Sequence, residues 1–218
     1  AESRAGSTRA LASVLAGLRR PPKTLLVASA TGFYGDRGAE MLDETAEAGA
    51  GFLPLLCRDW EAAAAPAVEA GIRVAHMRLG VVLTPDGGAL GRMVPLFRLG
   101  LGGRLGSGRQ WMSWIALDDV LAAILFLLER PDLAGPVNLT APNPVTNAEF
   151  TRTLARQLGR PAFLPAPAFA LWLAFGQMAD EALLASARVY PARLSSSGFR
   201  FAYPTLAPAL AAALAHRP

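Results

Sequence analysis

The feature that most constrains this fold is a short, uninterrupted apolar run, TLLVASA, at residues 24–30. Pro21 and Pro22 precede the run and Gly32 follows it, so it is bounded by residues that end regular structure. A run of this length is typical of a strand that is buried on both faces, and such strands occur in parallel sheets. The run therefore predicts an α/β chain with helices on both sides of a parallel sheet.

Helix and strand patterns alternate through the first 160 residues, as expected of βαβ units on a parallel sheet. The predicted helices cover 8–18, 52–70, 89–100 and 117–129, and a further helix begins at Asn147 with that residue as a candidate N-cap. The predicted strands cover 24–30, 73–83 and 136–139. Three strands behind an opening helix indicate the second half of a doubly wound fold.

The pattern changes near residues 160–168, where we place a subdomain boundary. Beyond it, prolines separate predicted helices at 169–175, 180–188 and 205–215, with an extended piece at 199–203. We therefore predict a small helical subdomain at the carboxyl end of the chain.

The composition argues against several classes of protein. With 52% hydrophobic and 17% charged residues, the chain is not of the disordered class. The net charge is +4, but the 21 basic residues form no basic arm, so we expect no nucleic-acid partner. A single cysteine, Cys57, suits a reducing, cytoplasmic compartment. Prolines interrupt the apolar stretch 163–179, so we expect a buried or interfacial helix there and no membrane partner.

Polar residues follow the first predicted strand in the segment SATGFYGD, residues 29–36. Ligands bind at the carboxyl edge of open parallel sheets, so Ser29 and Tyr34 are site candidates. The alternative is an ordinary turn after the strand, with Tyr34 used for packing.

Two other motifs carry weaker signals. The glycine-rich loop GLGGRLGSG at 100–108 follows a predicted helix and does not open one, so it does not suit a pyrophosphate. We expect it to be a surface or substrate-side loop. Asp118 and Asp119 have no third ligand at a suitable spacing, and they suit the first turn of a helix. We therefore predict no metal site.

Several long segments resemble the epimerase-like branch of the extended short-chain dehydrogenase/reductases, often named as nucleoside-diphosphate-sugar epimerases. They are SATGFYGDRG (29–38), CRDWEAAAAP (57–66), RLGVVLTPDGGAL (78–90), FRLGLGGRLGSGRQWMSWIALDDV (97–120) and GPVNLTAPNPVTNAEF (135–150). The stretch 169–210 is similar to the helical domain of unknown function that ends proteins of this branch. The resemblance implies a Rossmann-type domain at 1–160, which is partial, and a helical substrate-side domain at 161–218. It also implies NADP(H) as the cofactor.

The same resemblance implies that the chain lacks the family's first strands and its glycine-rich turn, about 80 residues that fit three βα units. We therefore expect this chain alone to bind NADP weakly. Strand 24–30 would normally pair with the family's first strand, so its edge is expected to be bare and apolar. We predict that the chain self-associates through this edge or is only marginally stable.

Cys57 and Glu61 stand at the positions of the family's Tyr-x-x-x-Lys pair, in which the Tyr is the general acid/base and the Lys lowers its pKa. A glutamate would raise the pKa of a neighbouring acid, so the standard pair is absent. Glu61 becomes the acid/base candidate, with pairing to an arginine or to the nicotinamide ribose hydroxyls as the alternatives. Cys57 as a nucleophile would need a base, and neither His76 nor His216 is a convincing one.

The resemblance assigns further residues to the cofactor. The family's Ser or Thr at the end of the first strand falls at Ser29 or, with a one-residue shift, at Ala30. Gly80, Val81 and Val82 match the strand whose outgoing loop touches the nicotinamide end of the cofactor.

The substrate side is expected near Tyr34, Arg109 and Trp114. Sugar-nucleotide epimerases grip a diphosphate with an arginine at the position of Met112, and Arg109 lies three residues upstream as a substitute. Arg78 could reach a substrate carboxylate or phosphate, or it could pair within the protein.

The resemblance implies an NADP-dependent, epimerase-like oxidoreductase that acts on a small polar molecule, with a sugar nucleotide as one candidate. The alternative is a non-catalytic binding or sensor protein built on a degenerate Rossmann scaffold. The missing Tyr-Lys pair favours that alternative, and the intact segments around the cleft favour the enzyme.

Overall fold

A computed structural model describes residues 2–176 and 179–215, and His216 therefore lies outside the described residues. The helices are α1 (Glu2–Ala16), α2 (Phe52–Ala62), α3 (Ala65–Glu69), α4 (Gly88–Arg98), α5 (Leu117–Glu129), α6 (Asn147–Leu158), α7 (Ala168–Phe175), α8 (Ala192–Ser196) and α9 (Leu206–Ala215). The strands are β1 (Thr24–Ala30), β2 (Met41–Leu42), β3 (Arg73–Leu79), β4 (Val81–Leu83), β5 (Trp111–Met112), β6 (Trp114–Ala116), β7 (Gly135–Leu139), β8 (Val145–Thr146) and β9 (Arg188–Val189). A 3-10 turn covers Thr31–Tyr34 and a π-helical segment covers Ala179–Leu184.

The centre of the fold is a three-stranded parallel sheet in the order β1-β3-β7. Helices α2 and α3 connect β1 to β3, as expected of a βαβ crossover. The predicted α/β class with a parallel sheet is confirmed. The division of the chain near residue 160 stays a prediction.

The two faces of this sheet are packed differently. On one face, Met77, Val137 and Leu139 contact the buried side of α5. On the other face, Val27 and Val74 pack against small residues of α1 and α3, among them Ala12 and Ala67. Alanines allow these helices to approach the sheet closely, and only toward the carboxyl ends of the strands does this second face become polar.

A second hydrophobic core lies beside the sheet. The parallel pair β4-β6 contributes Leu83 and Trp114, and α4, α6 and α9 close over them with Phe97, Phe150 and Leu210. This core ties the carboxyl-terminal helix α9 to the middle of the chain.

Several predicted elements were placed almost correctly, and others were wrong for identifiable reasons. The predicted helix 52–70 breaks into α2 and α3 before Pro66, because proline has no N–H to donate to the carbonyl four residues back and its ring crowds that carbonyl, whereas it is tolerated in the first turn of α3. The predicted strand 73–83 divides at Gly80, where β3 ends against β7 and β4 begins against β6. The predicted helix 180–188 is wrong at its end, since residues 188–189 form β9 and pair with β2.

Two smaller corrections concern capping and extended structure. Thr146, and not Asn147, caps α6, and its hydroxyl accepts a hydrogen bond from the Glu149 amide. The Asn147 side chain instead accepts from the Leu105 amide, which holds the glycine-rich loop. Residues 199–203 form no strand; Phe199 and Phe201 pack beside α5 as irregular chain.

The glycine-rich loop is held by the segment that leads into α7. Leu105 and Ala166 form an isolated parallel bridge, and the Gly106 amide donates to the Ala166 carbonyl at 2.8 Å. In the parts of the chain that the structure covers, no helix has the length and apolar character needed to cross a membrane.

Candidate active site

A row of three polar side chains crosses the carboxyl-terminal part of the central sheet. Ser29 of β1 is in register with Arg78 of β3, and Arg78 is in register with Asn138 of β7. Aligned residues of neighbouring parallel strands point to the same face, so all three side chains meet on the side that carries α2. All three are buried, and Arg78 is only 4% exposed.

Glu61 of α2 closes over this row and pairs with Arg78. The guanidinium donates through Nε to Oε1 at 2.8 Å and through Nη2 to Oε2 at 2.9 Å. Ser29 Oγ donates to Oε1 at 2.7 Å. The carboxylate is thus fixed by three hydrogen bonds, two of them in the bidentate geometry that gives strong arginine–carboxylate pairs. Pairing with an arginine was one of the roles left open for Glu61.

Tyr34 holds Arg78 in position through a hydrogen bond. Its hydroxyl accepts from Arg78 Nη1 at 3.1 Å and donates to Asn138 Oδ1 at 2.8 Å. The guanidinium also lies over the Phe33 ring, 3.4 Å from its centroid, where a cation is attracted by the ring face. Burial raises the pKa of Tyr34, so its hydroxyl stays protonated and able to donate.

Burial and hydrogen bonding shift the pKa of Arg78 in opposite directions. Burial lowers its pKa, but the hydrogen bonds to Glu61 and Tyr34 outweigh it, so the pKa is raised. Arg78 is therefore a permanent cation whose donors are used within the protein. Such an arginine is poorly placed to bind a substrate anion directly.

A second buried carboxylate, Glu44, anchors the far end of the network. It accepts from the Asn138 amide at 2.9 Å and from the Arg193 amide at the start of α8. Asn138 Nδ2 donates to the Tyr190 carbonyl. Burial raises the pKa of Glu44. The network thus joins the central sheet to the segment after the π-helix.

Cys57 lies one helical turn before Glu61 on α2 and is buried. Its thiol lies against Ser29 and the Ala30 backbone, and burial raises its pKa. A thiol with a raised pKa carries little thiolate at neutral pH, which argues against a nucleophilic role. His76 lies two residues before Arg78 on β3, in register with Val27 of β1. Burial lowers the pKa of His76, and its Nδ1 has no hydrogen-bond partner among the described residues.

An open pocket of about 480 Å³ lies in front of the Glu61–Arg78 pair. Its walls are Phe33, Glu47, Ala48, Arg58, Glu61 and Arg78. Arg58 is exposed and makes no ion pair with a described residue, so it is a cation at this pocket that remains available to a ligand. The pocket lies at the carboxyl end of the sheet, where open α/β folds bind ligands.

The structure brings Ser29, Tyr34, Glu61 and Arg78 into one hydrogen-bonded cluster and places the other predicted substrate residues elsewhere. Tyr34 is 0% exposed, so in this conformation its role is to support Arg78 and not to touch a ligand. Trp114 is also fully buried, and its indole N–H donates to the Asn143 carbonyl. Arg109 is exposed in the loop before β5.

The predicted cofactor residues Gly80, Val81 and Val82 lie where β3 passes into β4. The Gly80 amide donates to the Leu139 carbonyl and the Val81 amide to the Ser113 carbonyl, which join the central sheet to the β4-β6 pair. Their contact with a cofactor stays a prediction. Among the described residues, no group of three or more His, Cys, Asp or Glu side chains is arranged to hold a metal ion.

Sequence reasoning missed Asn138, Glu44 and Arg58. A signal for Asn138 exists, since it is a polar residue within an otherwise apolar strand, PVNL. Arg78 and Ser29 are likewise polar residues near the ends of apolar strands. Glu44 lies in a loop of mixed composition, where no sequence pattern marks it as buried.

Comparison with known proteins places the chain in a family. Residues 166–213 match the family described as a domain of unknown function, DUF1731. An epimerase family protein of Mycobacterium bovis is 52% identical over 187 residues, which are 86% of this chain and 62% of that protein. The epimerase family protein YfhF of Bacillus subtilis is 37% identical over 216 residues, 99% of this chain and 71% of YfhF.

The chain belongs to the epimerase family proteins. A crystal structure of a human member, epimerase family protein SDR39U1 (isoform 2) with NADPH, superposes with a TM-score of 0.93 at 35% identity. The match covers 98% of this chain and 73% of the human chain. The resemblance to the epimerase-like branch and the Rossmann-type fold are thereby confirmed. This epimerase family chain spans about three fifths of the length of its mycobacterial relative.

Proposed function

We propose that this chain carries the reaction-centre part of an NADP(H)-dependent, epimerase-like oxidoreductase that acts on a small polar molecule. The observation that carries the proposal is the Glu61 carboxylate, fixed by Arg78 and Ser29 beside an open pocket at the carboxyl end of the sheet. The human relative crystallised with NADPH supports the choice of cofactor.

The residues at the pocket fit the sugar next to the nicotinamide ring. Glu61 is an acceptor only: its Oε1 already accepts two hydrogen bonds, whereas Oε2 accepts one and keeps a lone pair for a ligand hydroxyl. A ribose diol supplies two hydroxyl donors, and acidic side chains bind ribose hydroxyls in dinucleotide-binding folds. When bound, the cofactor would supply hydride transfer.

The protein's own contribution is to hold Glu61 as an oriented anion. Arg78 stabilises the negative charge and fixes the plane of the carboxylate, while Ser29 adds a neutral donor. In this arrangement Glu61 can bind a hydroxyl hydrogen or accept its proton. Arg58 at the pocket wall offers a separate positive charge to an anionic part of the ligand.

The first test is NADPH binding by isothermal titration calorimetry. It is made with the 218-residue chain and with a chain extended upstream in its reading frame. We expect binding by the extended chain and weaker binding by the 218-residue chain. Absence of binding by both would contradict the proposal.

Glu61→Gln in the extended chain tests the site itself. The amide keeps the shape but loses the charge, and hydrogen bonds to charged groups contribute about 1.5–3 kcal/mol, so we expect NADPH affinity to fall by roughly tenfold or more. Glu69→Gln, at an exposed position of α3, is the matched control and should bind as the unmodified chain does. Equal affinity of both variants would remove Glu61 from the cofactor site.

The second candidate function is a non-catalytic binding or sensor protein. The burial of Cys57 favours it, because the position of the family's acid/base tyrosine then holds a protonated thiol without a free surface. NADPH binding without NADPH oxidation, across a panel of keto sugars and their nucleotide derivatives, would support this alternative over the oxidoreductase.

A further inference from the structure

Two segments of the chain carry all of its excess positive charge. Residues 87–117 contain four arginines and residues 150–179 contain three, and neither segment contains an aspartate or a glutamate. The rest of the chain has 14 basic and 17 acidic residues. Without these two segments the chain would be acidic.

All seven arginines are exposed, and none forms an ion pair with a described residue. They are Arg92, Arg98, Arg104, Arg109, Arg152, Arg156 and Arg160. The last three lie at intervals of four residues, so they share one side of α6 and its carboxyl-terminal end. Their charges are therefore available to a partner.

The same two segments expose large apolar side chains. Phe163 and Leu173 are 83% and 82% exposed, and Trp172 is more than half exposed. The exposed large apolar side chains of the two segments are Leu96, Leu99, Leu101, Leu117, Phe163, Leu164, Phe169, Trp172 and Leu173. Soluble monomers rarely expose so many large apolar side chains in adjoining segments, and such surfaces mark interaction sites.

The two segments lie side by side. The Leu105–Ala166 bridge joins them, and the Ala166 amide donates to the Arg104 carbonyl at 2.9 Å. Phe163 shares an open groove with Arg152, Arg156 and Arg160. We call the exposed arginines and apolar side chains of residues 87–117 and 150–176 the basic–apolar face.

We propose that the basic–apolar face docks on the surface of a membrane that contains anionic lipids. Phosphate headgroups would neutralise the arginines, and the boundary between headgroups and acyl chains would accept the phenylalanine, tryptophan and leucine side chains. Helix α7 is eight residues long and apolar all round, so it suits a position in the plane of the interface and not a span.

The charge pattern favours this partner over two others. A second copy of the chain would set arginine against arginine across a two-fold axis, with no acidic residue in either segment to compensate. A nucleic acid would neutralise the arginines, but it offers no environment for exposed leucines. Anionic lipid is the partner that offers both phosphates to the arginines and an apolar environment to the exposed leucine, phenylalanine and tryptophan side chains.

The proposal departs from the expectation that this chain has no membrane partner. That expectation rested on the prolines that interrupt residues 163–179. Prolines exclude a span, but they do not exclude a short helix that lies at the surface.

The test is flotation of the whole 218-residue chain with vesicles. We expect binding to phosphatidylcholine vesicles that contain roughly a third phosphatidylglycerol, little binding to phosphatidylcholine alone, and weaker binding as salt is raised. Trp172 should be quenched by brominated acyl chains, and Trp172→Phe should remove that quenching.

Matched triple variants test whether the face is specific. In Arg152→Gln/Arg156→Gln/Arg160→Gln we expect vesicle affinity to fall by about a hundredfold, since each arginine near an anionic surface contributes about fivefold. The control, Arg9→Gln/Arg19→Gln/Arg20→Gln, removes the same charge from exposed positions around α1 and should bind as the unmodified chain does. Circular dichroism melting shows that each variant is folded.

Three outcomes would overturn the proposal. The first is no flotation with anionic vesicles, and the second is an equal loss of vesicle affinity in the two triple variants. The third is that Phe163→Ser/Leu173→Ser, which removes two exposed apolar side chains, changes the oligomeric state and leaves vesicle binding unchanged. The last would assign the face to a second copy of the chain. None of these outcomes depends on NADPH, so they are separate from the tests of the proposed function.

Discussion

At the scale of single residues, the site depends on one buried cation whose donors are satisfied from several directions. The Arg78 guanidinium donates to the Glu61 carboxylate and to the Tyr34 hydroxyl, and its face lies against the Phe33 ring. Removing one partner from a buried ion pair typically costs about 3–5 kcal/mol, because the other charge is left uncompensated. The surroundings of Arg78 are therefore as constrained as any part of the apolar core.

Tyr34→Phe tests this constraint without removing a charge. The change leaves Arg78 Nη1 and Asn138 Oδ1 without a partner in a buried place, so we expect the free energy of unfolding to fall by about 1–3 kcal/mol. Urea denaturation measures the change. Tyr203→Phe is the matched control, since the Tyr203 hydroxyl has no hydrogen-bond partner among the residues described, and it should alter the value by less than about 0.5 kcal/mol.

The thiol of Cys57 gives a pH-dependent prediction. Because its pKa is raised, less thiolate is present at any given pH, and alkylation by iodoacetamide should be slower than in the urea-unfolded chain at pH 8, by roughly tenfold or more. The rate in the folded chain should keep rising above the pH at which the unfolded chain levels off. Cys57 is the single cysteine, so mass spectrometry reads the reaction directly. Equal rates in the two states would show that the thiol is accessible and not perturbed.

At this scale the sequence predicts which residues lie at the site better than it predicts the hydrogen bonds between them. Ser29, Glu61, Arg78 and Tyr34 were all selected from their positions at strand ends or from the family pattern. The roles of Tyr34 and Asn138 follow from the register of three strands that are far apart in the chain, and no local pattern encodes that register.

At the scale of elements, the division of residues 73–83 into β3 and β4 controls how the two cores meet. A Cβ atom on Gly80 would lie 2.7 Å from the Ser113 carbonyl oxygen and 3.0 Å from Thr140 Cγ2. Glycine at this position lets the chain leave the central sheet and enter the β4-β6 pair without a clash.

Gly80→Ala should therefore destabilise the fold by about 1–3 kcal/mol through overpacking against backbone that cannot move freely. Gly6→Ala has the opposite expected sign, a gain of about 0.5–1 kcal/mol, since nothing lies near a Cβ there and α1 gains a better helix former. Thermal melting of both variants measures the contrast. A Gly80→Ala chain as stable as the unmodified protein would mean that the Ser113 backbone yields easily.

Long elements with a clear pattern were predicted well, and short ones were not. Strand β1 and helix α5 have the predicted bounds, because a continuous apolar run and an acidic first turn define them locally. The two-residue strands β2 and β9 arise from pairing between distant segments, and β8 pairs with β5 in the same way. Their existence depends on tertiary structure and not on their own residues.

At the scale of the whole molecule, the order of the described strands places β1 at an edge of the central sheet. Among the described strands, β1 pairs with β3 on one side only, and none of its residues is charged. Uncovered strands of this kind tend to pair with another chain. The prediction that the chain self-associates through β1 therefore stands on the sheet order as well as on the family pattern.

Ala28→Lys should reduce this self-association, because a charge on an edge strand opposes pairing with a second strand. Ala122→Lys adds the same charge at an exposed position of α5 and should leave association unchanged. Sedimentation velocity over a range of concentrations measures both. A monodisperse, cooperatively melting monomer of the unmodified chain would contradict the prediction.

The polar row across the central sheet also bears on how faithfully the chain folds. A slip of β3 by one residue would turn Arg78 from the Glu61 side toward the apolar side that packs against α5, since strand side chains alternate between faces. An arginine turned to that side would lose its hydrogen bonds to Glu61 and Tyr34, so misaligned sheets are higher in free energy than the native one. The buried polar side chains of Ser29, Arg78 and Asn138 thus favour the native register of the three strands over shifted registers. Apolar side chains alone would discriminate less between these registers.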